Sequence, residues 1–288
     1  MTSPRTIHDW QCRRRTVRLG ERTLVMGILN VTPDSFSDGG EFIDRQRAVE
    51  RALEMAAQGA DIIDIGGEST RPGAEPVSEQ EEIRRTCPVI REVRARSRDI
   101  LLSIDTTKAA VAREALEAGA DIINDISALE ADPAMVEVAT QSGAGVILMH
   151  RKGTPRTMQE NPSYADVVEE VSSHLERRIA FAEQRGISRD HIVIDPGIGF
   201  GKTVEHNIAL LHDLPALHRH HCPLLIGASR KSFIGRITGR TRPEDRLPGS
   251  LGAAAWSMMH GAHILRVHDV IDTCDLCRML DTFTMGEV

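Results

Sequence analysis

Aromatic residues are scarce in this chain: two Trp, one Tyr and six Phe among 288 residues, 3% in all. A core built from it must be aliphatic, and base recognition by stacking on aromatic platforms is disfavoured. Excess basic charge is missing too. A net charge of -7 and an isoelectric point near 6.0 argue against nucleic acid as a partner, and Arg13, Arg14 and Arg15 are too short a cluster to reverse that. No apolar run approaches the length needed to span a bilayer, so no membrane partner is expected. Met1 to Cys12 is polar and lacks the apolar segment of a secretory leader, so the five Cys predict a soluble protein of the reducing cytoplasm. Cys274 and Cys277 form a lone CxxC in the last helical stretch. Without a second pair or His at ligand spacing, buried thiols are favoured over zinc or redox chemistry.

What the chain has in quantity is aliphatic side chains, within a hydrophobic fraction of 41%. A unit recurs in which a helical pattern ends in Gly-Ala and an apolar strand follows at once: GADIIDIGG at 59 to 67, GADIINDIS at 119 to 127, GAGVILMH at 143 to 150 and GAHILRVHD at 261 to 269. Gly after a helix is a left-handed cap, and the run behind it has strand length. Further strands are DILLSIDT at 99 to 106, HIVIDPG at 191 to 197, PLLIGAS at 223 to 229 and Leu24 to Asn30. Helical stretches are predicted near 45 to 58, 78 to 95, 107 to 118, 132 to 142, 163 to 185, 203 to 213, 249 to 260 and 270 to 283. Runs of Ile, Leu and Val without alternation mean strands buried on both faces, hence parallel. Eight strands alternating with eight helices predict a (β/α)8 TIM barrel, an α/β fold. A doubly wound sheet is the competitor, but no GxGxxG follows the first strand. One domain is expected over 24 to 288, behind a lead-in at 1 to 23 whose short hairpin, Thr16 to Arg18, turns at Gly20-Glu21.

In such a barrel the C-terminal strand ends converge on one mouth. Those positions here hold Asn30; Asp64 with Glu68, Ser69, Thr70 and Arg71; Asp105; Asn124 and Asp125; His150; Asp195; Ser229, Arg230 and Lys231; and Arg266 with His268. Buried strands do not carry so many polar groups at one end for packing alone, since each costs free energy unless partnered. Asp61, Asp121 and His191 at the opposite ends make this a tendency. Asp105, Asn124, Asp195 and Lys231 suit the edge of a flat heterocycle displaying amine, amide and carbonyl. Asn30, Thr70, Arg266, His268 and the Ser229-Arg230-Lys231 run suit phosphate or a metal-phosphate group. Asp64 and Asp125 are open between ligand contact and structural hydrogen bonding. His218, His220 and His221 precede the seventh strand, so a solvated loop on the far rim is expected. GIGFGKT at 197 to 203 fails as a phosphate loop, because Pro196 stands where the opening Gly is required. Asp34 and Asp38 lie on the first loop as turn or metal-ordering residues, and Phe36 there is expected to meet an aromatic substrate.

The residues also resemble a known family. NVTPDSFSDGG at 30 to 40, GGESTRPG at 66 to 73, SIDTTK at 103 to 108, INDIS at 123 to 127, DPGIGFGK at 195 to 202, SRKSFIG at 229 to 235 and RVHDV at 266 to 270 closely resemble dihydropteroate synthase, in that family's order and from residue 24 onward. The resemblance implies a transferase of folate biosynthesis, a sulfonamide target, that joins (7,8-dihydropterin-6-yl)methyl diphosphate to 4-aminobenzoate and releases diphosphate. It implies Asp105, Asn124, Asp195 and Lys231 on the pterin, with Met149 and Gly227 also at the substrate and Arg266 against the ring. Asn30 would bind Mg2+, while Thr70, Arg71, Arg266 and His268 would surround the diphosphate. Phe36, Pro72, Phe200, Lys231 and Ser232 would form the aminobenzoate pocket, with loops 31 to 40 and 67 to 76 closing over it. It further implies a homodimer in contact through the last helices. One departure is MHRKGTP at 149 to 155, where the family more often has MHMQGTP; the two added cations are expected to bear on access to the pterin pocket.

Two other classes compete. A pterin-dependent methyltransferase on a related barrel is expected to lack the SRK run and the NVTPDSFSDGG loop. A non-enzymatic pterin-binding relative is expected to have lost diphosphate residues, whereas Asn30, Arg71, Lys231, Arg266 and His268 are all present.

Overall fold

The computed structural model describes residues 5–13, 15–32, 40–69, 75–154 and 157–285. Two strands, β1 (His8–Cys12) and β2 (Arg15–Leu19), pair antiparallel. The hairpin therefore turns between Cys12 and Arg15, not at Gly20-Glu21 as the sequence suggested. Gly20 instead begins the bend into the barrel, at φ +101°, where any Cβ would lie 2.5 Å from the Thr6 carbonyl oxygen.

Eight parallel strands follow: β3 (Leu24–Asn30), β4 (Ile62–Gly66), β5 (Leu101–Asp105), β6 (Ile122–Asp125), β7 (Gly145–Met149), β8 (Ile192–Asp195), β9 (Leu225–Ile226) and β10 (Ile264–Val267). Their order is β8-β7-β6-β5-β4-β3-β10-β9, and an Ile194–Leu224 bridge joins the two ends into a closed (β/α)8 barrel. The helices are α1 (Gly40–Ala57), α2 (Glu79–Arg96), α3 (Ala109–Ala118), α4 (Met135–Ser142), α5 (Val167–Gln184), α6 (Val204–His212), α7 (Ser232–Thr238), α8 (Leu247–Met259) and α9 (Val270–Met285). Helix α7 was not foreseen, because Gly235 breaks its short periodic pattern. The four recurrent Gly residues that stop helices, Gly59, Gly119, Gly143 and Gly261, all have positive φ, from 63° to 120°.

Side-chain parity organises the interior. Leu24, Met26, Ile62, Leu101, Ile122, Ile147, Val193, Leu225 and Ile264 form an apolar floor, closed from below by Trp10, Cys12 and Leu19 of the hairpin. Trp10 Nε1 donates to the His191 carbonyl at 2.8 Å, satisfying its one polar atom in that plug. Residues of the alternate parity, such as Ile63, Leu102, Ile123 and Leu265, pack outward against the helices in a separate cluster. The floor residues are nearly all aliphatic, as the scarcity of aromatics required. Among the described residues no helix is long and apolar enough to cross a membrane.

Candidate active site

Two residues above the floor, the same parity reaches the polar rim. Ile62 leads to Asp64, Ile122 to Asn124, Ile147 to Met149, Val193 to Asp195, Leu225 to Gly227 and Ile264 to Arg266, while Leu101 leads through Ser103 to Asp105. A period of two on converging strands thus carries these side chains into one lumen. Asn30 and Gly66 are directly paired, as are Asp105 and Asn124, and Met149 and Asp195.

Arg266 ties the rim together. Its Nε donates to Asp64 at 2.7 Å and a terminal nitrogen donates to Asp105 at 2.7 Å. Asn124 Nδ2 donates to the same Asp64 oxygen at 3.0 Å. Asp64 is therefore an orienting carboxylate, while its other oxygen, Oδ1, is buried without a hydrogen-bond partner among the described residues. Burial pushes the Asp105 carboxyl up to about 7, against the pull of the Arg266 guanidinium. The guanidinium itself is held charged by Asp64 and Asp105 despite its burial.

Asp195 ends β8 and accepts from the Gly197 backbone N–H at 2.7 Å. Burial raises its pKa, while that hydrogen bond and Lys231 favour the ionised form. Lys231 precedes α7 and lays its Nζ 3.9 Å from the centre of the Phe200 ring. Burial lowers this ammonium to about 7. Phe200 packs with Ile126, Met149 and Met158 in a small apolar cluster. Ser232, the first residue of α7, is exposed. His268 sits 3.1 Å from Ser229 Oγ, and burial together with Arg266 depresses its imidazole to about 3. At neutral pH it is an uncharged hydrogen-bonding group.

Several expectations need correction. Arg230, grouped with the anion-binding run, pairs instead with Asp269, its Nε 3.0 Å from the carboxylate. Asp125, which the sequence left open, has the outward parity and accepts from Ser127 N–H, Ser127 Oγ and Leu129 N–H, so it orders its own loop. The His218–His221 segment is no solvated loop. Residues Leu214–His220 form a 3-10 helix in which His220 is buried against Ser172 Oγ at 2.7 Å, and His218 bonds the His260 carbonyl at 3.0 Å. Of the added cations, Lys152 is held by the Ser163 carbonyl at 2.5 Å and by Glu170 at 3.3 Å. Arg151 is half-buried, facing Asp125, Glu130 and Glu68. Cys274 and Cys277, by contrast, are buried free thiols as expected. Asp34, Phe36, Asp38, Thr70, Arg71 and Pro72 lie outside the described residues.

Two further lysines with interior partners were not singled out in the sequence. Lys108 bridges Glu68 and Glu82, the latter pair at 2.5 Å. Lys202 is 3% exposed. Each closes a motif, SIDTTK and DPGIGFGK, but a lone Lys after a loop ordinarily marks solvent exposure.

A closed barrel with acceptors, an amide and cations gathered in one mouth defines an enzyme of the pterin-binding class: the family model described as "Pterin binding enzyme" matches residues 26–268. The chain is 48% identical to the dihydropteroate synthase of Synechocystis sp., over 96% of this chain and 92% of that protein. It is 49% identical to the Escherichia coli dihydropteroate synthase, over 89% and 90%. Among solved structures, the Xanthomonas albilineans dihydropteroate synthase with 4-aminobenzoic acid superposes with a TM-score of 0.91 at 44% identity, covering 97% of this chain and 99% of the other. The same enzyme in complex with 7,8-dihydropteroate gives 0.86 at 42% identity, covering 95% and 97%. The chain belongs to the dihydropteroate synthase family.

Proposed function

We propose that this protein condenses (7,8-dihydropterin-6-yl)methyl diphosphate with 4-aminobenzoate to give 7,8-dihydropteroate and diphosphate. The observation that carries it is the lumen-facing set Asp105, Asn124, Asp195, Lys231 and Arg266 in a chain of this family. Asp105, Asn124 and Asp195 meet the hydrogen-bonding edge of the pterin, Lys231 donates to it, and Arg266 lies against its ring. Arg266 and His268 flank the departing diphosphate, with Thr70 and Arg71 assigned there from their motif. Phe200, Lys231 and Ser232 shape the aminobenzoate side with Phe36 and Pro72.

The reaction is a substitution at a methylene carbon whose leaving group is diphosphate. Charge develops on that group as the bond breaks, and buried cations stabilise it best in a water-poor site. The aniline nitrogen of aminobenzoate is already a nucleophile, so no enzyme nucleophile is needed. Intact-mass spectra during turnover are expected to show no covalent adduct.

Mg2+ fits the donors present. Among the described residues no cluster of three or more His, Cys, Asp or Glu exists to cage an ion. Mg2+ commonly takes one or two protein oxygens with phosphates and waters, so the Asn30 carboxamide at the end of β3 suits a metal carried by the diphosphate. Bound there, the ion supplies positive charge to the leaving group.

A homodimer is supported by an apolar groove of about 300 Å³ between α6, α7 and α8, lined by Ile208, Phe233, Ile237 and Trp256. Ile237 is 59% and Ile208 48% exposed in the single chain. All five thiols are free and buried, in keeping with the reducing cytoplasm.

The test is diphosphate release from the purified protein with pterin diphosphate, aminobenzoate and Mg2+, omitting each in turn. Release that continues without aminobenzoate, or none with all three present, defeats this assignment. Loss of release in EDTA, restored by Mg2+, is expected, with Asn30→Ala raising the Mg2+ needed.

A further inference from the structure

Lys202 places an amine deep in the protein, its ammonium brought down to about 7 by burial, and the 197–201 loop is coiled around it. The Nζ lies 2.9 Å from the Gly197 carbonyl, 3.0 Å from the Phe200 carbonyl and 3.0 Å from His150 Nδ1. In its protonated form the group has three donors and no acceptor, so these three acceptors satisfy it completely. The Nδ1 contact requires the neutral His150 tautomer protonated at Nε2. The backbone is built for this arrangement. Gly197, Gly199 and Gly201 have φ of 69°, 82° and 63°, and a Cβ on Gly197 would come within 1.8 Å of the His150 carbonyl oxygen. A buried charge held this closely is costly to leave half-partnered, so the loop and the cation hold each other in one geometry.

The outward side of the same loop touches the substrate mouth. The Phe200 ring faces Lys231 Nζ at 3.9 Å, and a Cβ on Gly199 would lie 2.7 Å from Lys231 Cδ. Asp195 is held by its place on β8 as well as by the Gly197 N–H. The loop's far end is fixed from outside, by Tyr164 Oη donating to the Gly201 carbonyl at 2.8 Å and Asn207 Oδ1 accepting from Gly199 N–H at 2.6 Å. The Phe200 carbonyl is thus the point at which Lys202 acts most directly on the mouth.

We propose that Lys202 is a positioning residue: by gripping the Phe200 and Gly197 carbonyls it sets the Phe200 ring beneath Lys231, and so shapes the aminobenzoate side of the site while touching neither substrate. This rests on the functional reading above and assigns Lys202 a part in it.

The test is Lys202→Met, which keeps the length of the side chain and deletes the ammonium. The KM for aminobenzoate is expected to rise at least tenfold, while the Kd for pterin diphosphate, measured without aminobenzoate, changes less than threefold. A double-mutant cycle with Phe200→Leu locates the effect: each single variant raises KM, and the double variant is expected to be no worse than the more impaired single by more than twofold. If Lys202→Met is insoluble, His150→Leu, which removes one acceptor of the cage, enters the same cycle with a smaller expected rise. An unchanged KM, an equal loss of pterin affinity, or full additivity with Phe200→Leu overturns the proposal. Failure of the parent enzyme to release diphosphate would instead overturn the functional reading, so the two failures are distinct.

Discussion

Arg266 Nε lies 2.7 Å from Asp64 Oδ2, on a carboxylate whose side chain is fully buried. Asp64 accepts from Arg266 and Asn124 with one oxygen, so one buried charge orients two rim groups on separate strands. Removing one partner of a buried pair strands the other, at a cost of about 3–5 kcal/mol. Asp64→Ala is expected near the lower end, about 3 kcal/mol, because Asp105 still pairs with Arg266. Urea unfolding measures it; a change below about 1 kcal/mol would mean that the network does not act as a unit.

Lys231→Ala removes a charge-assisted hydrogen bond worth about 1.5 to 3 kcal/mol to the pterin, or roughly ten- to a hundredfold in Kd. Asp195→Asn is expected to weaken binding in the same direction, since it replaces a charged acceptor with an amide. Isothermal titration with pterin diphosphate reports both. Parent-like binding by both variants would place the heterocycle elsewhere.

The pH profile follows from two buried groups. Asp105 is raised by burial to about 7 and must be ionised to accept from the pterin. Lys231 is lowered by burial to about 7 and must be protonated to donate. The kcat/KM for the pterin is therefore expected to be bell-shaped, falling on the acid side as Asp105 gains its proton and on the alkaline side as Lys231 loses one. Lys231→Arg keeps its charge, so the alkaline limb is expected to vanish while the acid limb remains.

The same lysine costs stability. Its folded value lies below the unfolded 10.5, so the folded state binds fewer protons between the two and its contribution to stability rises with pH across that window. Lys231→Met is expected to raise Tm more near pH 6 than near pH 10. An equal gain at both ends would show that the ammonium is not penalised by burial.

Gly197→Ala tests the loop itself. At φ 69° and with 1.8 Å between the added Cβ and the His150 carbonyl oxygen, no rotamer relieves the contact. A destabilisation of about 2 kcal/mol or more is expected in urea, with loss of turnover. An active, parent-like variant would show that the loop has a second stable path.

Much of the architecture was legible in the chain alone. Gly-Ala caps before Ile-rich runs marked where helices stop and strands begin, because only Gly takes positive φ cheaply, and all four such glycines have it. Polar residues at the end of each run disclosed that one rim of the barrel differs from the floor. Helix α7 escaped notice because its seven residues carry too little periodicity, and the hairpin turn was misplaced because Arg13, with φ 59°, does there what Gly was expected to do.

The residue order by itself determined which elements form and which side chains reach the strand ends, since capping and apolar periodicity act over a few neighbours. Only the closed barrel decided which of those side chains share the lumen. Asp64 faces inward to Arg266 while Asp125, with the opposite strand parity, turns to Ser127 and Leu129; Arg230 is drawn off to Asp269, and Lys202 finds its acceptors on His150 and the glycine loop. Those pairings join positions up to 202 residues apart, and burial decides them, because a charge withdrawn from water takes whichever partner the fold brings within reach.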